Sequence, residues 1–305
     1  VKRFTISLLT CAVAVAPALA QAPPAPQTPP PTPLWTLSGD FQSPESAFYD
    51  AASNSVFVSS INGGMTEKDG NGYISRLTPD GRMVSAKWVT GLNGPKGLRG
   101  VGGTLWAADI DEVVAIDIAS GSIKSRVRVE GATFLNDLAT APDGTVYVSD
   151  SFRPAVYVVR DGKSAIFLEG ADTVEQPNGL LVDGDRLILG SIGAGGRGQG
   201  GGRGRGGAGG SLYAFDLKTR MRTKLTNDNV GGIDGIEPDG RGGIIVTDVI
   251  GRRILHVPTS GQTRVLAQLS GGGADFGYIV PRSIAIVPYL TEHRVEAYDL
   301  TAALK

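Results

Sequence analysis

Six polar residues stand at matching places along the chain: Glu45, Lys96, Asn136, Asn178, Asp234 and Arg282. Each opens a short apolar run, as in Pro44-Glu45-Ser46, Pro95-Lys96-Gly97-Leu98, Leu135-Asn136-Asp137-Leu138, Pro177-Asn178-Gly179-Leu180, Ile233-Asp234-Gly235-Ile236 and Pro281-Arg282-Ser283. A merely wet surface would be served as well by Ser or Thr. Two carboxylates and two carboxamides instead offer the hard oxygen atoms that calcium takes. The two cations in the same register have three readings. They repel such an ion, they meet an anionic group on a substrate, with Arg as a fork and Lys as a point charge, or they turn outward and cap the site.

Such residues act together only if the fold brings them together, and the surrounding repeats say how. After each opening residue comes a first strand, an Asp-Gly type turn and a second strand. Examples run from Leu138 through Pro142-Asp143-Gly144 to Val146–Asp150, and from Ile236 through Asp239-Gly240 to Ile244–Asp248. Further strands follow, such as Val113–Asp117 and Leu212–Asp216. The runs are short, rich in Val, Ile and Tyr, and punctuated by glycine turns, with no long segment of helical period, so the fold class is all-β. Six copies at spacings of about 40 to 56 residues match four-stranded blades, and the chain is expected to be a six-bladed β-propeller. A seventh, degenerate blade would have to lie in Gly193–Gly210, whose composition argues against it. In a propeller the innermost strands line a central channel, so residues opening those strands form a ring around one axis. The ring must be fastened, and Leu34-Trp35-Thr36-Leu37, ahead of the first repeat, either adds an outer strand to the last blade or extends the first.

The remaining sequence bounds the setting. Lys2 and Arg3 precede an apolar run that closes on Ala18-Leu19-Ala20, the pattern of a signal peptide over residues 1–20, which places the protein in the periplasm or outside the cell. The run is too short for a membrane span, and Thr10 argues against Cys11 as a lipid acceptor. Residues 21–33 form a proline-rich linker, and the propeller is expected over 34–305. Beyond Cys11 the chain has no cysteine, which excludes disulfides, thiolate nucleophiles and Cys-ligated metals. A net charge of −1 argues against nucleic acid as a partner. The Gly/Arg-rich segment 193–210, with Arg197, Arg203 and Arg205, reads as a loop between two strands of the fourth blade, either a tolerated insertion or an anion-binding arm. His256 and His293 both lie off the ring positions, and no Gly-x-Ser-x-Gly elbow exists, so histidine-based hydrolysis is disfavoured.

The motifs Pro44-Glu45-Ser46, Phe134-Leu135-Asn136-Asp137, Pro177-Asn178-Gly179 and Asp234-Gly235-Ile236, in that order and blade spacing, resemble the senescence-marker-protein, gluconolactonase and luciferin-regenerating-enzyme-like family. The resemblance covers nearly all of residues 41–299. It implies a six-bladed propeller holding calcium, or another divalent cation, near the top of the channel, and hydrolysis of small lactones or related esters. It also implies that Glu45, Asn178 and Asp234 are metal ligands and that Asn136 binds metal or touches substrate. Asp234 is then the catalytic residue, as general base or as nucleophile, and Lys96 and Arg282 join Asn136 toward a small-molecule substrate, anionic if the cations face it. Two other readings share the fold: a propeller that binds a ligand or protein without turnover, and a strictosidine-synthase-like relative without metal.

Overall fold

Runs such as Val146–Asp150 and Ile244–Asp248 are short and β-branched, and they fold as strands that are buried on both faces. The computed structural model describes residues 30–193, 209–226, 229–260 and 262–305. These form six four-stranded antiparallel sheets, with one four-residue helix at Ala171–Val174 and a short 3₁₀ turn at Val280–Arg282. The leader, most of the linker and most of the Gly/Arg-rich segment lie outside the described residues.

The innermost strands are Pro44–Asp50, Pro95–Val101, Leu135–Thr140, Pro177–Asp183, Ile233–Pro238 and Gly277–Ile279. Each packs on the innermost strand of its neighbours, closing a cycle from blade one to blade six and back. No blade buries both faces alone. Six separate hydrophobic clusters result, each shared by two neighbouring blades; Phe57, Ile74, Leu98, Leu105 and Val114, for example, fill the space between blades one and two.

The ring closes in two places. At the rim, Trp35–Ser38 pairs antiparallel with Arg294–Asp299 as the outer strand of blade six, the first of the two placements that its position ahead of the repeats allows. Near the axis, the amide of Asp275 donates to the carbonyl of Glu45, and the amide of Ala47 donates to the carbonyl of Asp275. Trp35 strengthens the outer clasp, because its indole N–H donates 3.2 Å to the carbonyl of Pro79 in blade one. Trp35→Ala is therefore expected to lower stability by about 2 kcal/mol, less than for a fully buried Trp because this one is half-exposed. A urea unfolding midpoint equal to that of wild type would show that the clasp holds without it.

The sixth repeat differs from the sequence reading. In blades one to five the residue ahead of the ring position pairs with the end of the second strand, as Pro44 does with Ser60 and Ile233 with Asp248. In blade six that pairing is Gly273 with Tyr289, so the ring position is Ala274. Arg282 lies in the exposed turn after the innermost strand, at the opposite end of the channel. Pro281-Arg282-Ser283 imitates the repeat because proline suits the first turn of a 3₁₀ helix as well as the start of a strand.

Candidate functional site at the channel mouth

A local irregularity aims the ring residues. In each of blades one to five the ladder shifts register across the ring position, between Pro44 and Ala47, Pro95 and Leu98, Leu135 and Leu138, Pro177 and Leu180, and Ile233 and Ile236. Such a bulge bends the strand and turns one side chain out of the alternating pattern. Hydroxyls on the second strand satisfy the amides it frees. Ser59 accepts from the amide of Ser46 at 3.0 Å, Ser149 from Asp137 at 3.1 Å, and Thr247 from Gly235 at 2.8 Å.

The acidic residue that ends several second strands has a structural task. Asp109 accepts from the amides of Asn93 and Gly94, Asp150 from Thr133, Phe134, Phe152 and Arg153, and Asp248 from Gly232 and Gly251. Each carboxylate pins the loop that leads into its own blade's ring residue.

Glu45, Lys96, Asn136, Asn178 and Asp234 are all buried at the channel mouth. The side-chain amide of Asn178 donates 3.1 Å to Oδ1 of Asp234. The amide of Asn136 donates 2.9 Å to Ser151, whose own hydroxyl donates 2.7 Å to the carbonyl of Pro177. That second bond fixes the orientation of Asn136. Ser151 has spent its only proton on a carbonyl, so it must accept from Asn136, and the carboxamide oxygen is turned away from it. Among the described residues three ring oxygens are buried without a hydrogen-bond partner: Oε2 of Glu45, Oδ1 of Asn136 and Oδ1 of Asn178. Leaving a buried acceptor unmet costs about 1–3 kcal/mol, so three at one mouth are a cost that a bound cation would remove.

Electrostatics point the same way. Burial, then the neighbouring charges of Asp234 and Asp275, push the Glu45 carboxyl well above its ordinary range, and Lys96 only partly opposes them. The ammonium of Lys96 is pushed down to about 8 by burial, against the pull of Glu45, Asp109 and Asp150. It is held inward, donating 3.1 Å to the carbonyl of Met65 and 3.0 Å to that of Gly94, and it lies 4.3 Å from the centre of the Phe134 ring. Among the described residues no three His, Cys, Asp or Glu side chains cluster as metal ligands. The ring supplies two carboxylates and two carboxamide oxygens instead, a donor set that fits calcium and not a nitrogen- or sulfur-seeking metal.

A layer beneath the ring escapes a reading of repeats. Arg99, Asp137 and Asp275, all buried, meet the partly exposed Glu237 inside the channel, joined by ion pairs. A charged residue in a strand otherwise buried was the available signal for Arg99.

Other groups with chemical potential are committed elsewhere. Nε2 of His256 lies 2.8 Å from Asp239, and Nδ1 of His293 accepts from the amide of Ser43 at 2.9 Å. A cavity of about 450 Å³ lies between blades four and five, lined by Leu225, Asn229, Arg253, Leu255 and Arg264 among others. It contains no ring residue, and its arginines are occupied, Arg253 by Asp248 and Arg264 by His256.

No family model matches the chain, and neither does any curated protein. Among solved structures the chain is similar to one in the nidogen/laminin complex, with a TM-score of 0.61 at 14% identity over 77% of this chain and 88% of that one. It is also similar to streptogramin B lyase, with a TM-score of 0.59 at 11% identity over 86% of this chain and 95% of that one. Likenesses at such identity speak for the fold alone, and with the closed ring of six sheets they make the chain a six-bladed β-propeller.

Proposed function

We propose that the protein is an exported, calcium-dependent hydrolase of the gluconolactonase type that opens small lactones or related esters at the channel mouth. The observation that carries the reading is the set of three unpartnered buried oxygens on Glu45, Asn136 and Asn178, beside the carboxylate of Asp234. Glu45 and Asp234 would balance the two charges of the ion, and Asn136 and Asn178 would add neutral oxygens. Bound there, calcium supplies Lewis-acid polarisation of a substrate carbonyl.

The chain's own residues do the rest. Asp234 is assigned the proton, taken at its carboxylate from an attacking water. The amide of Asn178 holds that carboxylate in place. Lys96 has no exposed surface, so its share in binding an anionic substrate is a field reaching into the mouth, not a contact. Arg282, at the far end of the channel, has no part in this site. The likeness to streptogramin B lyase, an enzyme by its name, supports the reading only as far as the fold being able to carry catalysis.

The test is calcium-dependent melting. A ligand that binds only the folded state stabilises it by about 2.7 kcal/mol at a hundredfold excess over Kd, or roughly 5–10 °C in a domain of this size. Wild type should show that shift and Glu45→Gln little of it. Equal shifts in both would place the ion away from the ring. A lactone and ester panel hydrolysed no faster than in buffer, with the site full, would favour a binding propeller without turnover.

A further inference from the structure

Arg99 lies one layer below the ring, buried, and its guanidinium reaches most of the channel wall. Nη1 and Nη2 donate to the two oxygens of Asp275 at 3.2 and 3.3 Å, a two-pronged pair. Nη1 also donates 2.7 Å to the carbonyl of Leu98, and Nη2 donates 3.4 Å to that of Ile236. Carboxylates of Asp137 and Glu237 stand 3.8 and 3.7 Å away. Burial opposes its charge, but Asp275, Asp137 and Glu237 together hold the guanidinium above its ordinary value.

The partners are not scattered. Asp137 and Asp275 directly follow the ring positions Asn136 and Ala274, and Ile236 and Glu237 follow Asp234 by two and three residues. Asp275 also accepts from the hydroxyl of Ser46, the residue after Glu45, and that hydroxyl accepts from the amide of Leu98. Asp137 accepts from the amide of Leu180, two residues after Asn178. Through one or two bonds, Arg99 is tied to the strand behind every ring residue.

We propose that Arg99 is the positioning residue of the site, a fixed internal cation that holds the five ring side chains at one spacing. A charge placed so has two opposed effects on a second cation at the mouth. It repels that cation, and it fixes the oxygens that would hold it. If repulsion were all, removing Arg99 would tighten calcium binding. If positioning dominates, removal weakens it, because the buried carboxylates of Asp137 and Asp275 and the partly exposed one of Glu237 are left without a cation and must turn away from one another. Lysine is no full substitute, since a point charge cannot bridge Asp275 with two parallel bonds and reach Asp137 and Glu237 as well.

The experiment compares Arg99→Met and Arg99→Lys with wild type in two measurements, of which the affinity arm rests on the calcium reading and the exchange arm does not. Amide hydrogen exchange is followed at Leu98 and Leu180, which donate to Ser46 and Asp137. At both amides the exchange should rise at least tenfold in Arg99→Met and less in Arg99→Lys, with outer strands such as Ala155–Arg160 unchanged. Calcium affinity by titration calorimetry should fall at least tenfold in Arg99→Met. Unchanged exchange at Leu98 and Leu180, or tighter calcium binding, overturns the proposal. If wild type takes up no divalent cation, the calcium reading falls and exchange alone decides for Arg99. Should Arg99→Met fail to fold, Asp275→Asn removes the partner's charge while keeping its shape, and the same two amides must then exchange faster.

Discussion

Asp234→Asn should lower lactone turnover about a thousandfold, the size of a lost general base, and added calcium should not restore it. The reason lies in the hydrogen bond from the Asn178 amide to Oδ1 of Asp234. A carboxylate only accepts, so receiving that bond at one oxygen leaves its other oxygen an acceptor as well. A carboxamide in its place must keep its single oxygen toward Asn178 and turn its NH₂ to the mouth, where it can neither hold a cation nor take a proton. Cation binding can be refilled by raising calcium, because occupancy obeys mass action. The missing base cannot. A thousandfold loss is about 4 kcal/mol of transition-state stabilisation, whereas Glu45→Gln, which removes a ligand alone, should regain most of its activity at high calcium. The check is a calcium series of kcat on both variants, with occupancy measured on the same samples. Full recovery of Asp234→Asn at saturating calcium would make Asp234 a ligand only.

The case for a cation rests on the absence of a cheaper way to satisfy the mouth. Protons could meet Glu45, whose carboxyl burial already pushes upward, but they would leave the carboxamide oxygens of Asn136 and Asn178 as they are. Water could meet one or two of these oxygens. A single divalent ion would meet all three together with Asp234, and it would offset the charge that burial, Asp234 and Asp275 make unfavourable at Glu45.

The ring was legible because a repeat makes position meaningful. Once six copies are aligned, a polar residue at one register in a run otherwise apolar is a statement about the channel, and the structure brings Glu45, Lys96, Asn136, Asn178 and Asp234 to its mouth. The alignment failed in blade six, where the innermost strand is only three residues long and follows a run of glycines. Three residues are too few to show a strand period, and the proline that follows imitates the start of a repeat. The pairing of Arg99 with Asp275 was illegible for another reason. They are partners 176 residues apart, brought together by closure of the ring, and no local pattern encodes a contact made between blades two and six. Fold class and closure were the opposite case. Strand period, turn residues and repeat spacing all act locally, and the outer strand Trp35–Ser38 follows from the need to leave no open edge.

Close approach of the innermost strands leaves no room for an added atom at the residue after a ring position, and Gly179→Ala should show it. A methyl group at Gly179 would lie 2.2 Å from the carbonyl oxygen of Asp234, a backbone atom that cannot rotate aside. The innermost strands of blades four and five would have to part, against the cluster of Ile188, Leu212, Ile233 and Ile236 that joins them. Overpacking of this kind costs about 3 kcal/mol or more, a fall in Tm of roughly 6 °C or more for a domain of this size. The same separation would draw Asn178 away from Asp234, so the loss of stability should come with loss of calcium binding. Gly94→Ala is the control. It lies two residues before Lys96, and the added methyl would meet its nearest neighbour, the carbonyl of Met65, at an ordinary 3.5 Å. It should melt within about 2 °C of wild type. If Gly179→Ala melts with the control and still binds calcium as wild type does, the innermost strands are not held as closely as this channel requires, and the spacing of the ring is set by something other than their contact.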